Sequence, residues 1–152
     1  MTIKSDSALG PPLIGALLRI PADAVLARVL AELHAAGFDD LVPAHLNVLR
    51  YPGPQGRRPS ELAAENRMTK QAVNYLLRQL EELGYLTRTG HEQDQRSKRI
   101  ELTTRGYAAA KNIRATVARI ERELKRELGD AEFARLRQLL VELNATKLVD
   151  GA

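Results

Sequence analysis

Lys70, Gln71, Asn74, Tyr75 and Arg78 recur along TKQAVNYLLRQLEEL at spacings that gather them on one side of a helix. The stripe Ala72, Val73, Leu76, Leu80 and Leu83 turns the other way. In the major groove of duplex DNA, Lys or Arg reads guanine edges, and Asn or Gln reads adenine edges with two hydrogen bonds at once. Gln71 and Asn74 have that chemistry. Ser60 and Thr69, together with amides at helix N-termini, suit phosphate oxygens, which fix register without carrying sequence information.

A second cluster, Arg96, Lys98 and Arg99, lies in HEQDQRSKRIELTTRG, where charge gives way to the alternation Ile100, Leu102. A narrow minor groove concentrates negative potential and attracts an inserted Arg side chain. Arg96 is the candidate for that role. Asp94, two residues earlier, can pair with it or cap the turn, and Lys98 and Arg99 are expected to face phosphates. Ser97 in this segment and Arg88 just before it complete the candidate DNA-binding set. A solvated helix face or a polar loop tip could carry the same residues. What favours DNA is the order in which the two clusters follow each other.

The elements that must position these groups are legible from periodicity and breakers. Residues 13–36 read as a long helix with Leu18, Val25, Leu26, Val29, Leu30 and Leu33 inward, stopped by Gly37 and kinked or split at Pro21. A helix over 42–49 ends at YPGPQG. Pro59 and Ser60 open a short helix in PSELAAEN, with Ser60 as its cap, and Thr69 caps the helix that Gly84 closes. YLTRT and RIELT are rich in β-formers and predict a hairpin. After Gly106 a helix runs over 107–128 with Ile113, Val117, Ile120 and Leu124 on one stripe. Gly129 closes it and Asp130 caps a last helix bearing Phe133, Leu136, Leu139, Leu140 and Leu143.

The expected fold is therefore mainly α with a small β-hairpin wing: a winged helix-turn-helix in one domain spanning 1–152. A length of 152 residues suffices for a core without disulfides or metal. A net charge of +4 favours a polyanion partner. There is no tract of about eighteen apolar residues to span a membrane, and residues 1–12 lack the apolar core of a signal peptide, so a cytoplasmic location is expected. With no Cys, oxidation of a thiol cannot be the signal. His34, His45 and His91 stand in separate segments without metal-ligand spacing, and no Gly-rich phosphate loop precedes a helix. The expectation is no enzyme, no cofactor and no metal site.

The order PSELAAEN, MTKQAVNYLLRQLEELGYLTR and DQRSKRIELTTRG resembles the MarR family of bacterial winged-helix transcription factors. The likeness covers residues 41–106. It is sharpest at Glu82-Leu83-Gly84-Tyr85-Leu86, at Asp94-Gln95-Arg96-Ser97 and at Leu102-Thr103-Thr104-Arg105-Gly106. The resemblance implies a regulator, most often a repressor, that binds double-stranded promoter DNA at a pseudo-palindromic site. It makes Arg96 the wing-tip arginine and Asp94 its buttress. It implies a homodimer joined through helices over 11–36 and 107–148, with Phe133, Leu136, Leu140 and Leu143 at the joint. It also implies release by a small aromatic or lipophilic effector, for which His34, Phe38, His45 and Tyr107 come from the bordering segments. Gln95 departs from the family, which often has a second Arg there, and the Pro-rich loop 51–56 is stiffer than usual. The rival reading is a winged-helix module that presents the same helix to a partner protein.

Overall fold

Helix ends leave backbone groups without a partner inside the helix, and at several boundaries of this chain a side chain supplies one. The computed structural model describes residues 10–91, 93–94 and 96–150. The elements are α1 (Ile14–Ala35), α2 (Pro43–Leu49), α3 (Pro59–Glu65), α4 (Lys70–Glu82), β1 (Leu86–Thr89), β2 (Arg99–Leu102), α5 (Thr104–Leu128), α6 (Asp130–Asn144) and α7 (Lys147–Asp150). The fold is mainly α with one antiparallel hairpin, as the sequence predicts. Gln95, the departure noted above, lies outside the described residues.

The chain forms two units that divide within α5, after Thr116. In the first, Leu33 of α1, Leu46 and Val48 of α2, Leu62 of α3, Val73, Leu77 and Leu80 of α4, and Leu86 and Ile100 of the hairpin are at most 2% exposed. Each such side chain contributes about 1.5 to 3 kcal/mol through removal from water. Leu77 was not in the expected stripe of α4. It lies four residues after Val73 and three before Leu80, so it joins the same face and widens it. In the second unit, α6 leaves Leu136, Leu139, Leu140 and Val141 exposed.

Several boundaries differ from expectation, each for a local reason. Pro21 lies inside one uninterrupted α1. Ser60 is not the cap of α3. Arg58 takes that position, and the Glu61 carboxylate reaches back to accept its backbone N–H at 2.8 Å, which leaves Ser60 exposed in the first turn. Gly129, with φ 90°, precedes α6, so Asp130 is its first residue rather than its cap. The hairpin pairs Leu86 with Leu102 and Thr89 with Arg99, so each strand is one residue shorter than its β-forming run, β1 starting after Tyr85 and β2 ending before Thr103. It gains a further edge from the loop before α3, where Gly56 N–H donates to the Ile100 carbonyl and Ile100 N–H to that of Arg57.

Helix α5 starts at Thr104, before Gly106 rather than after it. A helix interior normally disfavours Gly. Here the backbone of Gly106 passes so close to Tyr85 that an added Cβ would lie 1.9 Å from its carbonyl oxygen. Gly106→Ala is therefore expected to destabilise the protein by about 2 to 3 kcal/mol, as overpacking does, instead of stabilising it as in an open helix. Urea denaturation of the two proteins checks this, and an unchanged or higher midpoint for the variant would refute the close approach.

Candidate nucleic-acid interface

The outward face of α4 is built from its N-terminus. Thr69 Oγ1 accepts the Ala72 N–H at 3.1 Å, so the predicted cap is present, and α3 and α4 are joined by a tight turn in which Arg67 takes φ 51°. Lys70, Gln71 and Arg78 are exposed, Asn74 is half-buried, and Tyr75 is 59% exposed. This helix face presents donors and bidentate amides together, as the spacing predicts. The cap uses one lone pair of the Thr69 oxygen, which leaves the hydroxyl proton to donate to a phosphate oxygen.

The tip of the hairpin is a hydrogen-bonded turn. Asp94 Oδ1 accepts the backbone N–H of Arg96 at 2.9 Å; of the two roles considered for Asp94, it caps the turn. Ser97 Oγ donates to the Asp94 carbonyl at 2.9 Å and accepts from His91 N–H, so Ser97 holds the turn from within. Arg99 does not extend to solvent as a phosphate ligand would. Its Nη1 donates to the carbonyls of Arg96 and Lys98. Arg96 stays exposed on the turn these bonds define, with Lys98 half-buried beside it. Arg88, a DNA-binding candidate from the sequence, is tied to Glu81. Its Nε and Nη2 both donate to one carboxylate oxygen, at 3.0 and 2.8 Å, and its backbone N–H donates to the other. Arg88 thus locks the hairpin onto α4.

Three side chains far apart in sequence hold the end of α4 against the segment after α1 and the start of α5. Tyr85 is fully buried, and its hydroxyl donates to Asp40 Oδ1. Arg105 donates through Nη2 to Asp40 Oδ2 at 2.9 Å and through Nη1 to the Leu83 carbonyl at 2.7 Å, with its guanidinium 4.4 Å from the centre of the Tyr85 ring. Partial burial pushes the Asp40 carboxyl up. The Tyr85 hydroxyl and the Arg105 charge outweigh this and hold it below the ordinary carboxylate value. Burial, then the bond to Asp40, pushes the Tyr85 phenol above its ordinary range. The sequence gives no sign of this cluster, nor of Gln55, whose amide bonds both Glu101 and the Leu102 N–H.

The four residues named for an effector have different fates. His34 is exposed and bonds the Leu41 carbonyl at 2.7 Å, Phe38 packs at 6.2 Å from the Tyr85 ring, and Tyr107 is exposed. His45 is 3% exposed and uses both ring nitrogens, toward Val42 N–H and Gln79, so it has none to offer a carboxylate. A cleft of about 510 Å³ lies in the second unit and is lined by Arg119, Arg122, Glu123, Lys125, Arg126 and Asp130, none of them expected from the sequence. Phe133 and Leu143 are half-buried, while Leu136 and Leu140 are exposed. Among the described residues no group of three or more His, Asp or Glu could hold a metal ion, and no helix is long and apolar enough to cross a membrane.

Known proteins resemble this chain in sequence and in fold. Residues 39–97 match the model of the MarR family. The exopolysaccharide II synthesis transcriptional activator ExpG of Rhizobium meliloti is 30% identical over 121 residues, which are 80% of this chain and 61% of that protein; the chain spans less than two thirds of that relative. The HTH-type transcriptional repressor Rv2887 of Mycobacterium tuberculosis is 28% identical over 147 residues, 95% of this chain and 99% of the repressor. The solved structure of Rv2887 in complex with salicylic acid matches with a TM-score of 0.62 at 28% identity, over 88% of this chain and 97% of that one. The transcriptional repressor CouR, bound to a 23-mer DNA duplex, matches with a TM-score of 0.65 at 28% identity, over 86% and 92%.

The cluster around Asp40 makes a pH-dependent contribution to stability. A carboxyl depressed in the folded protein contributes fully above its ordinary value of 3.8, and the contribution is lost as the pH falls below that through the native value. Asp40→Asn is expected to be about 2 kcal/mol less stable than the parent at pH 7, as for a hydrogen-bonded charged group. The gap should narrow in acid below the ordinary carboxylate value. Urea denaturation at neutral and acid pH measures it, and a gap that stays constant would show that the Asp40 charge contributes nothing.

Proposed function

We propose that the chain, whose residues 39–97 match the model of the MarR family, is a homodimeric repressor that binds promoter DNA at a specific, pseudo-palindromic site. Members of this family are transcriptional regulators and not enzymes, and the same role is proposed for this chain. The observation that carries the finer reading is the pairing of two exposed surfaces. The face of α4 presents Lys70, Gln71, Asn74 and Arg78, and a turn capped by Asp94 presents Arg96. The first suits base edges in the major groove, the second a narrow minor groove. The DNA-bound structure of CouR supports this reading by likeness.

A homodimer is supported by apolar surface that a lone chain leaves in water. Leu13 and Ile14 at the start of α1 and Leu136, Leu139, Leu140 and Val141 on α6 are all exposed. Two copies would place their α4 helices in successive major grooves, with half-sites roughly 34 to 36 Å apart. An effector of small aromatic acid type is supported by the salicylate complex of Rv2887. The bonding of His45 argues against its touching such a ligand. A protein-docking role for α4 has little support, since its outward face carries Tyr75 as its one aromatic side chain, while hot spots rely on aromatic and apolar anchors.

Fluorescence anisotropy with duplex from the gene's own upstream region is expected to show a preference over scrambled duplex of about a thousandfold at equal salt. Equal affinity for both duplexes would sink the specific-regulator reading. Arg96→Ala should weaken specific binding by about tenfold or more, as the loss of a charged hydrogen-bonding contact does; unchanged affinity at matched salt would remove Arg96 from the interface. Leu140→Glu should shift the protein to monomer in sedimentation velocity and weaken operator binding in parallel. A variant that remains dimeric would place the joint elsewhere.

A further inference from the structure

A chain of hydrogen bonds leads from the backbone amide of Val42, just before α2, to the outward surface of α4. Val42 N–H, at the start of α2, donates to His45 Nδ1 at 3.2 Å. His45 Nε2 meets Gln79 Oε1 at 3.2 Å, and Gln79 Nε2 donates to the Tyr75 hydroxyl oxygen at 3.1 Å. A backbone N–H can only donate, so the first bond requires an unprotonated Nδ1 and puts the proton of the neutral imidazole on Nε2. That proton needs an acceptor, which fixes the Gln79 amide with its oxygen toward His45 and its NH₂ toward Tyr75. The Tyr75 oxygen is then an acceptor on its inner side. Its own proton is turned to the outside, and among the described residues it has no other partner.

We propose that His45 and Gln79 are positioning residues that set the Tyr75 hydroxyl as an obligate donor to a DNA phosphate oxygen, an inference that rests on the reading of α4 as the DNA-facing helix. Phosphate oxygens only accept, and tyrosine hydroxyls are among the groups that bind them. A hydroxyl free to rotate must be ordered on binding, whereas this one is ordered in advance by a bond network rooted in the backbone of α2. Gln79, half-buried behind the exposed Tyr75, is otherwise without a role on the outward face. The network also explains why a buried histidine sits at the third position of α2. It caps the helix with one nitrogen and orients Gln79 with the other.

The test combines Tyr75→Phe, Gln79→Met and the double substitution, measured by anisotropy on the operator duplex across a salt series, with nitrogen-15 NMR of His45 in the DNA-free parent protein. Tyr75→Phe should weaken binding about tenfold, as for a hydrogen bond to a charged group. Gln79→Met should weaken it less, and should have no further effect in the Tyr75→Phe background. The slope of log affinity against log salt should not change for any of the three, because no charge is removed. Loss of a lysine contact would lower that slope by about 0.9. The NMR spectrum should show the proton on Nε2. Parent-like binding by Tyr75→Phe, additive losses, or a proton on Nδ1 would each overturn the proposal. A parent protein that prefers no duplex would overturn the reading of α4, a failure distinct from a wrong tautomer at His45.

Discussion

The first unit depends on the solution found for one buried phenol. Tyr85 lies three residues beyond α4 and is shielded completely, so its hydroxyl must have a partner inside the protein. Asp40 supplies it, and a half-buried carboxylate in turn needs a counter-charge, which Arg105 provides from the first turn of α5. The backbone of the same residue is as heavily used. Tyr85 N–H donates to Leu80 at the end of α4, and its carbonyl accepts Thr103 N–H where β2 leaves the hairpin. Removing either charged partner would leave the other half-buried without its counter-charge. Four elements therefore take their mutual placement from one residue: the segment after α1, the end of α4, the hairpin and the start of α5.

This cluster also marks the limit of what sequence can reveal. Features decided within one turn of chain were legible: Thr69 as a cap, Gly37 and Gly84 as helix ends, the apolar stripe of α4 and the two β-forming runs. Near misses occurred where two neighbours could serve. Arg58 rather than Ser60 precedes the first residue of α3, and Gly129 rather than Asp130 precedes that of α6. Asp40 lies 45 positions from Tyr85 and 65 from Arg105, and no periodicity spans such gaps. The same holds for His45 and Gln79, 34 positions apart. The family likeness gives the outline in which such pairs arise. It does not supply their chemistry.

Charge shows the difference between counting and placing. Arg57, Arg58, Arg88 and Arg105 are engaged with Glu65, Glu61, Glu81 and Asp40, and Arg99 is turned onto carbonyl oxygens of its own loop. A cation paired with a carboxylate a few ångströms away presents little net field to a phosphate beyond a Debye length of about 8 Å. These pairs are mostly half-exposed and contribute little stability singly, about 0 to 1 kcal/mol each. Their effect is geometric: they fix the loop before α3 and the hairpin against the helices. In the proposed regulator the attraction to DNA would then fall to exposed groups such as Lys70, Arg78 and Arg96.

Helix α4 is consequently held from three directions by directional bonds. His45 of α2 grips Gln79, Arg88 of the hairpin grips Glu81, and Arg105 of α5 grips the Leu83 carbonyl. Each bond is made to a different position along the second half of the helix, so rotation about its axis or a shift along it breaks at least one of them. A ligand can shift the protein between two arrangements of these elements only by binding them unequally. With α4 clamped in this way, an arrangement that moves the helix together with its clamps breaks none of the three bonds. It also leaves the outward face of α4 as it is.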